Sequence, residues 1–350
     1  MPRACNITAT PNASVSITVC VPVYNVEDYL RECLDSICSQ SYPHFDVVLV
    51  DDGSGDGSGA ICDEYALRYP GRVVAVHKDN EGPLLARRDA FARATGDYVM
   101  CVDSDDKLFP GALQAIACAA EQTDADVVGF NLTCMDKPDV SLDGSLPAEY
   151  YAPDEKPAKL RAICCSTSGS ENSMCAKAVR RSCVGPDVDL SPFRGLKFAE
   201  DFLQTVIVYD RAETFCTLDA ALYYYRPGSG ITGEYKPHFY QDIRRCMDMA
   251  EGYASRWERD YSCDGLMAGL AACRLDSAAR YAEWMASRGD WEGLRALRSS
   301  GDFTRCIETS GISKYLRFDR RFVLRAVKRG LFPLLLAVVG ARSIKAKLKR

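Results

Sequence analysis

Three carboxylates fall within four positions, Asp103, Asp105 and Asp106, directly after the apolar run Tyr98-Val99-Met100-Cys101-Val102. The run reads as a buried strand and the acidic residues as the loop at its C-terminal end. Like charges gathered at a strand end need water, a cation or a basic partner beside them. A hard divalent cation such as Mg2+ or Mn2+ prefers these oxygens. A solvated turn in which Asp and Ser104 cap the next helix is the other reading, and the stretch by itself favours neither. A second acidic pair, Glu200-Asp201, precedes apolar residues at helical spacing (Phe202, Val206, Tyr209). Taken alone, it reads as an acidic helix N-terminus that satisfies the helix dipole.

The elements that would position the first cluster are regular. Residues 16–23 (SITVCVPV) suit a strand covered on both faces. A helix is expected over 27–40, a strand over 46–50 ending in Asp51-Asp52-Gly53-Ser54, a helix over 60–69, a strand over 73–77 and a helix over 84–94. Alternating strands and helices describe an α/β domain with a parallel sheet. Ligands of such sheets bind outside the carboxyl ends of the strands. Pro22-Val23-Tyr24, Asp51-Asp52, His77 and Asp103-Ser104-Asp105 all fall at those ends, and this convergence makes the acidic run a candidate metal site. The segment Gly55 to Ala60 fits a dinucleotide-binding glycine pattern formally. It follows the second strand rather than the first, and two carboxylates precede it, so a turn capped by Asp56 or Ser58 is the better reading.

The 350 residues can hold one large domain or two smaller ones, and the net charge of −5 hides an asymmetry. Residues 314–350 hold 12 of the 43 basic residues and one acid, Asp319, leaving 31 basic against 47 acidic in the first 313, a net of −16. Such a basic tail suggests an anionic partner. The 17 cysteines are scattered without a CxxC spacing, which fits small buried hydrophobes in a reducing cytosol better than zinc or disulfides. No signal peptide and no transmembrane run is expected. Residues 238–300 read as helices. In the tail, Tyr315, Phe318, Phe322, Val323 and Ala326 share one helical face, with Arg317, Arg320, Arg321, Arg325 and Lys328 broadly opposite. The short apolar run 331–339 and Lys345, Lys347, Lys349 and Arg350 follow. A basic amphipathic helix with a short apolar insert reads as an anchor on an anionic membrane surface. The alternative is a helix docked on its own domain. Nucleic acid is disfavoured because no binding module accompanies the charge.

The ordered set Val21-Pro22-Val23-Tyr24-Asn25, Val50-Asp51-Asp52-Gly53-Ser54 with Asp56, Asn80-x-Gly82 with Ala86-Arg87, Gly96-Asp97-Tyr98 and Val102-Asp103-Ser104-Asp105-Asp106 resembles the family 2 glycosyltransferases of the GT-A fold. The likeness covers about residues 16–135. A weaker echo runs through Asn172, Ala176-Lys177, Glu200-Asp201 and Leu222 to Arg226. The resemblance implies a Rossmann-like α/β fold with a mixed, mostly parallel sheet flanked by helices, followed by a helical C-terminal region. It implies an inverting hexosyl- or N-acetylhexosaminyl-transferase that uses a nucleoside diphosphate sugar, UDP-linked by preference. The acceptor would be a hydroxyl of a glycan or lipid-linked molecule in cell-surface polysaccharide synthesis, on the cytoplasmic membrane face. Under it, Pro22, Val23 and Tyr24 line the base and ribose, Asp52 accepts from uracil N3–H, and Arg87 lies near the base. Asp103 and Ser104 face the donor, Asp105 with Asp103 holds Mg2+ or Mn2+ on the diphosphate, and Asp201, with Glu200, is the general base.

The chain departs from the family pattern at Arg88, expected on a solvated helix face. His77 is expected to be a satisfied neutral side chain, and Arg226 with Pro227 to Gly230 either a lid on the diphosphate or a plain turn. The expected division is a disordered tail at 1–15, a catalytic domain at 16–235, a helical region at 236–313 and a membrane-associating tail at 314–350. A sugar-phosphate nucleotidyltransferase and a non-catalytic nucleotide-sugar-binding protein are the alternatives. The first is disfavoured by Pro22-Val23-Tyr24-Asn25 where a glycine-rich, arginine-containing loop would stand.

Overall fold

The structure, a computed structural model, describes residues 2–10, 13–136, 145–165, 170–228, 238–309 and 312–337. It divides into two compact units, one of residues 1–159 and 168–233, the other of 160–167 and 234–350. The expected boundary at 235/236 lies outside the described residues.

In the first unit, chain order runs β1 (Arg3–Thr8), β2 (Ile17–Val23), α1 (Glu27–Cys38), β3 (Phe45–Asp51), α2 (Ser58–Arg68), β4 (Val73–His77), α3 (Pro83–Arg93), β5 (Tyr98–Cys101) and β6 (Lys107–Leu108). Then come α4 (Ala112–Thr123), β7 (Val127–Thr133), β8 (Ser145–Tyr151), α5 (Lys156–Cys165, whose residues from 160 on belong to the second unit), β9 (Lys177–Arg180), α6 (Glu200–Arg211) and β10 (Phe215–Tyr224). The strands form one mixed sheet in the order β1-β8-β10-β7-β9-β5-β2-β3-β4, with β6 paired to β10. Strands β5, β2, β3 and β4 run parallel, and β9 is antiparallel to both β5 and β7. The residues of β2 are buried except half-buried Pro22, as helices on both faces of a parallel sheet require. Register brings Val23 opposite Asp51, and Asp51 opposite His77. Three of the expected site segments therefore end level with one another.

The N-terminus corrects an expectation. Residues Arg3–Thr8 are not a disordered tail but an edge strand, antiparallel to β8 from Arg3↔Tyr150 to Thr8↔Ser145. Ile7 enters the core, and the Gln122 side chain accepts from the Thr8 N–H at 3.1 Å and donates to its carbonyl at 2.7 Å. A short polar strand whose partner lies far along the chain carries no local hydrophobic signal.

The second unit contains α7 (Phe239–Asp260), α8 (Leu266–Ser287), α9 (Trp291–Ser299), α10 (Gly301–Glu308) and α11 (Phe318–Arg329). Helix α8 packs against the other four. Its Arg274 is fully buried and bonds Asp248 at 2.9 Å and Glu251 at 2.8 Å on α7, and Asp302 on α10. Helix α11 presents Val323, Leu324, Ala326 and Val327 to this unit's core, while Phe318 (80% exposed) and Phe322 (39%) point outward. The expected single apolar face is thus split. Arg320 accounts for the rotation, because it turns inward to Asp276 at 2.9 Å and Glu283 at 2.7 Å rather than to solvent. Beyond α11, residues 332–337 are helical; Val338 and Val339 of the apolar run, and the closing basic residues, lie outside the described residues. No helix among the described residues is long and apolar enough to cross a membrane.

Candidate active site

The loops after β2, β3 and β4 are tied together by short polar side chains. The Asn25 side chain accepts from the Gly55 N–H at 2.7 Å, and the Asn25 N–H donates to the Ser54 hydroxyl at 3.1 Å. Asn25 holds φ at +48°, a conformation that Asn tolerates better than most residues. Asp56 accepts from the N–H groups of Ser58 at 3.0 Å and Glu27 at 3.1 Å, so it caps two helix starts, and the glycine-rich stretch is the capped turn expected. Asp52 is 2% exposed and accepts from the N–H groups of Glu81 at 2.9 Å and Gly82 at 2.8 Å. Burial nevertheless outweighs these bonds and raises its pKa. Pro22 is half-buried, Val23 buried, and the Tyr24 ring 53% exposed at the surface of this network.

His77 departs from expectation. Its Nδ1 lies 2.9 Å from Asp51 and its Nε2 3.0 Å from Asp63, and these two hydrogen bonds, Asp51 first, raise its pKa. It bridges two carboxylates, a setting that favours its charged form. Because the folded-state pKa is raised, its contribution to stability is complete below the ordinary value of 6.5 and fades as pH rises through the folded-state value. The side chain is 45% exposed, so the effect is small, under about 1 kcal/mol. The His77→Gln protein should melt a few degrees below the parent at pH 6 and level with it at pH 9; an equal gap at both pH values would contradict this.

The acidic groups meet at Arg87. Helix α3 begins with Pro83 at its first turn after Gly82 (φ +95°) and turns Leu84, Ala86, Arg87, Ala90 and Phe91 inward. Arg87 is 3% exposed. One guanidinium nitrogen bonds Asp103 at 2.9 Å; the other bonds Asp201 and lies 3.6 Å from Glu200. The family resemblance implied a place for Arg87 near the donor base. The structure places it between the strand-end carboxylates and the acidic pair that opens α6. Its Nε is buried and has no hydrogen-bond partner among the described residues.

Around this cation each carboxyl has a distinct setting. Asp106 is buried, accepts from the Tyr223 hydroxyl at 2.8 Å and the Arg226 N–H at 2.7 Å, and is pushed up to about 7 by burial and then by Asp105 and Asp103. Tyr223 also receives the Asp103 N–H at 3.0 Å, so the foot of β10 holds the acidic loop. Asp105 is half-buried, and among the described residues its carboxylate has no hydrogen bond or ion pair; Ser104 beside it is half-buried as well. On the opposite side, Asp201 accepts from the Met174 N–H at 3.3 Å. Glu200 keeps 18% and Asp201 27% of its side chain exposed. Burial raises both, Glu200 to about 7 with Asp201 as the next cause, while Arg87 opposes the rise of Asp201. Ala199, immediately before them, holds φ at +62°, a strained setting for a residue with a Cβ.

Among the described residues, no group of three or more His, Cys, Asp or Glu side chains could hold a metal ion. A closed protein cage is thereby absent there. A cation bound through one or two carboxylates and completed by substrate phosphates needs less, and Asp105, whose carboxylate has no partner among the described residues, beside a partly exposed Asp103 fits that arrangement. Two further readings change. Arg88 is not on a solvated face; it donates to the carbonyls of Val184 and Gly185, each at 2.7 Å. Arg226 donates to the Asp105 carbonyl at 2.8 Å and stacks 5.0 Å from the Tyr29 ring. Ser229 and Gly230 of the expected lid lie outside the described residues. Sequence reasoning passed over Asp63, Met174 and the linking role of Tyr223, whose only signal was its place in the aromatic run.

Over 95% of its length the chain aligns with 92% of a solved chain, residues 1–349 of TarS from S. aureus in complex with UDP-GlcNAc, at TM-score 0.63 and 20% identity. The fold is GT-A. Residues 18–175 match the model described as glycosyl transferase family 2. The chain is similar to glycosyltransferase GlyA of Streptococcus pneumoniae, 41% identical over 115 residues, which are 33% of this chain and 16% of GlyA. It is also similar to the poly(ribitol-phosphate) beta-glucosyltransferase of Bacillus spizizenii, 40% identical over 102 residues, 28% of this chain and 16% of that protein. The chain therefore spans about a sixth of the length of either relative.

Proposed function

We propose that this protein is an inverting glycosyltransferase that moves a sugar from a nucleoside diphosphate sugar, UDP-linked by preference, to a hydroxyl of a cell-surface glycan or lipid-linked acceptor. The observation that carries this reading is Arg87, which joins the strand-end carboxylate Asp103 to the acidic pair Glu200-Asp201 in one buried junction. Leaving-group and acceptor chemistry need carboxylates from different parts of the chain, brought close but kept distinct. The acceptor oxygen attacks the anomeric carbon as the bond to the diphosphate oxygen breaks, and Asp201 takes the acceptor proton. A raised pKa brings that carboxylate nearer to neutrality, where a general base works best. Asp105 and Asp103 would hold Mg2+ or Mn2+, which supplies neutralising charge for the departing diphosphate. Tyr24, Pro22 and Val23 offer the base a surface at the end of β2, and Asp52 fixes the loop beside it. The UDP-GlcNAc bound to the structural neighbour supports a nucleotide-sugar donor. The ribitol-phosphate relative supports a polymer of the cell surface as acceptor.

A panel of UDP-, GDP- and dTDP-sugars tests this, read as release of the nucleoside diphosphate with added glycan or membrane extract. One donor class should give turnover that falls at least tenfold with EDTA and returns with Mg2+ or Mn2+. Pyrophosphate release from a nucleoside triphosphate and a sugar phosphate, without glycosyl transfer, would overturn the reading.

The second unit supports a proposed location. Exposed Phe318, Phe322, Leu331, Leu334 and Leu336 alternate with exposed Lys314, Arg317, Arg325, Lys328 and Arg329. Apolar side chains among cations suit the headgroup layer of an anionic membrane, which supports a peripheral position on the cytoplasmic face. The protein should sediment with vesicles containing phosphatidylglycerol and not with pure phosphatidylcholine, and the Phe318→Glu, Phe322→Glu double variant should lose most of that binding. Equal recovery of parent and variant would count against the tail as an anchor.

A further inference from the structure

Beneath the acidic pair lies a lysine that the proposed reaction does not use. Lys177, the first residue of β9, is 2% exposed. Its ammonium donates to the carbonyl of Glu171 at 2.9 Å, to the carbonyl of Ser173 and to the Thr205 hydroxyl at 3.3 Å. All three protons are thus directed at oxygens, none of them a carboxylate. Glu171, the half-buried acid that most favours its charge, is taken by Lys159 at 3.0 Å and by the Tyr209 hydroxyl at 2.6 Å. A cation buried without a carboxylate bonded to it is costly to a fold. Burial pushes it down to about 8, so it stays mainly charged at neutral pH.

The position of those oxygens shows what the ammonium holds. Glu171 and Ser173 belong to the turn that ends at Met174, and the Met174 N–H is the backbone donor to Asp201. Thr205 lies one turn after Asp201 on α6 and itself donates to the Asn172 carbonyl at 3.3 Å. The turn and the first turn of α6 are therefore fastened to the same buried charge. Arg87 restrains one oxygen of Asp201, and the turn restrains the other.

We propose that Lys177 is a positioning residue for glycosyl transfer, which clamps residues 171–174 against α6 so that the Met174 N–H fixes the orientation of the Asp201 carboxylate. This inference rests on Asp201 as the proton acceptor. It assigns Lys177 no contact with substrate.

The test is Lys177→Met in the full chain, with Thr205→Val as a milder second variant that keeps the buried charge and removes one of its acceptors. Turnover is measured with the best donor of the panel, and nucleotide binding with UDP by calorimetry. For Lys177→Met, kcat should fall at least tenfold with UDP affinity within twofold of the parent. Amide exchange of the peptide covering 171–175 should speed up at least tenfold, with β2 and β3 unchanged. Thr205→Val should show the same pattern at a smaller scale, about threefold, and it serves alone if Lys177→Met does not fold. An unchanged kcat, a loss of UDP affinity in step with kcat, or unchanged exchange at 171–175 would each overturn the inference. A fully active Asp201→Asn protein would instead remove the base assignment itself, which separates the two failures.

Discussion

Replacing Arg87 with Met is expected to destabilise the protein by about 2–4 kcal/mol and to abolish transfer. Removing one partner of a buried ion pair costs about 3–5 kcal/mol because the other charge is left without compensation. The lower figure allows for the partial exposure of the partners, 33% for Asp103, 18% for Glu200 and 27% for Asp201. The loss should depend on pH, and its sign can be worked out. Glu200 titrates at about 7 in the folded protein against an ordinary 4.5. Between those values the folded state binds a proton that the unfolded state does not, so stability declines as pH rises through that window. Without the Arg87 charge Glu200 and Asp201 titrate higher still, and the variant's deficit should be smaller at pH 5 than at pH 8. Urea unfolding at the two pH values measures this. A deficit below about 1 kcal/mol at pH 8 would show that the carboxylates do not need the cation.

The Asp201→Asn protein is expected to lose a factor of about 100 to 10,000 in kcat, the usual range for a positioned proton acceptor, while binding UDP nearly as well as the parent. Asn keeps the shape of the side chain and an oxygen for the Met174 N–H, so the loss would report proton transfer rather than collapse of the α6 turn. Glu200→Gln should cost no more than about tenfold, because Glu200 lies 3.6 Å from Arg87 and, among the described residues, its carboxylate makes no hydrogen bond to the turn beneath. Single-turnover kinetics beside nucleotide calorimetry would separate the two effects. Parental turnover in Asp201→Asn would move the base elsewhere in the site.

The parallel half of the sheet was legible in the sequence because its strands are buried runs separated by short, locally encoded helices. Arg3–Thr8 and the pairings of β8, β9 and β10 were not, since their partners lie far away along the chain. The carboxylates were legible as types at strand and helix ends. Their common cation was not, because the burial of Arg87 follows only once α3 and α6 meet beside β5. Arg88 shows the same blindness: the carbonyls it binds, Val184 and Gly185, are turned toward it by a loop in which Gly185 holds φ at +63°. On α11 the helical period was right and the phase was wrong. Periodicity ranks apolar side chains but cannot see that Asp276 and Glu283 draw Arg320 inward.

The strand order β1-β8-β10-β7-β9-β5-β2-β3-β4 bears on how the first unit can be dissected and how it grows on the ribosome. Residues 18–175 stop before β9 and β10, yet those two late strands lie inside the sheet, between β5 and β7 and between β7 and β8. A fragment ending at residue 175 would leave both edges of β7 unpaired and β5 open on one side. The recognisable segment is therefore not an excisable module. A nascent chain can complete the β2–β5 half early, but it must wait for the residues up to Tyr224 before the sheet closes. Asp201 and the foot of β10 arrive in that same late portion, so the groups that would act on the acceptor are the last to be put in place.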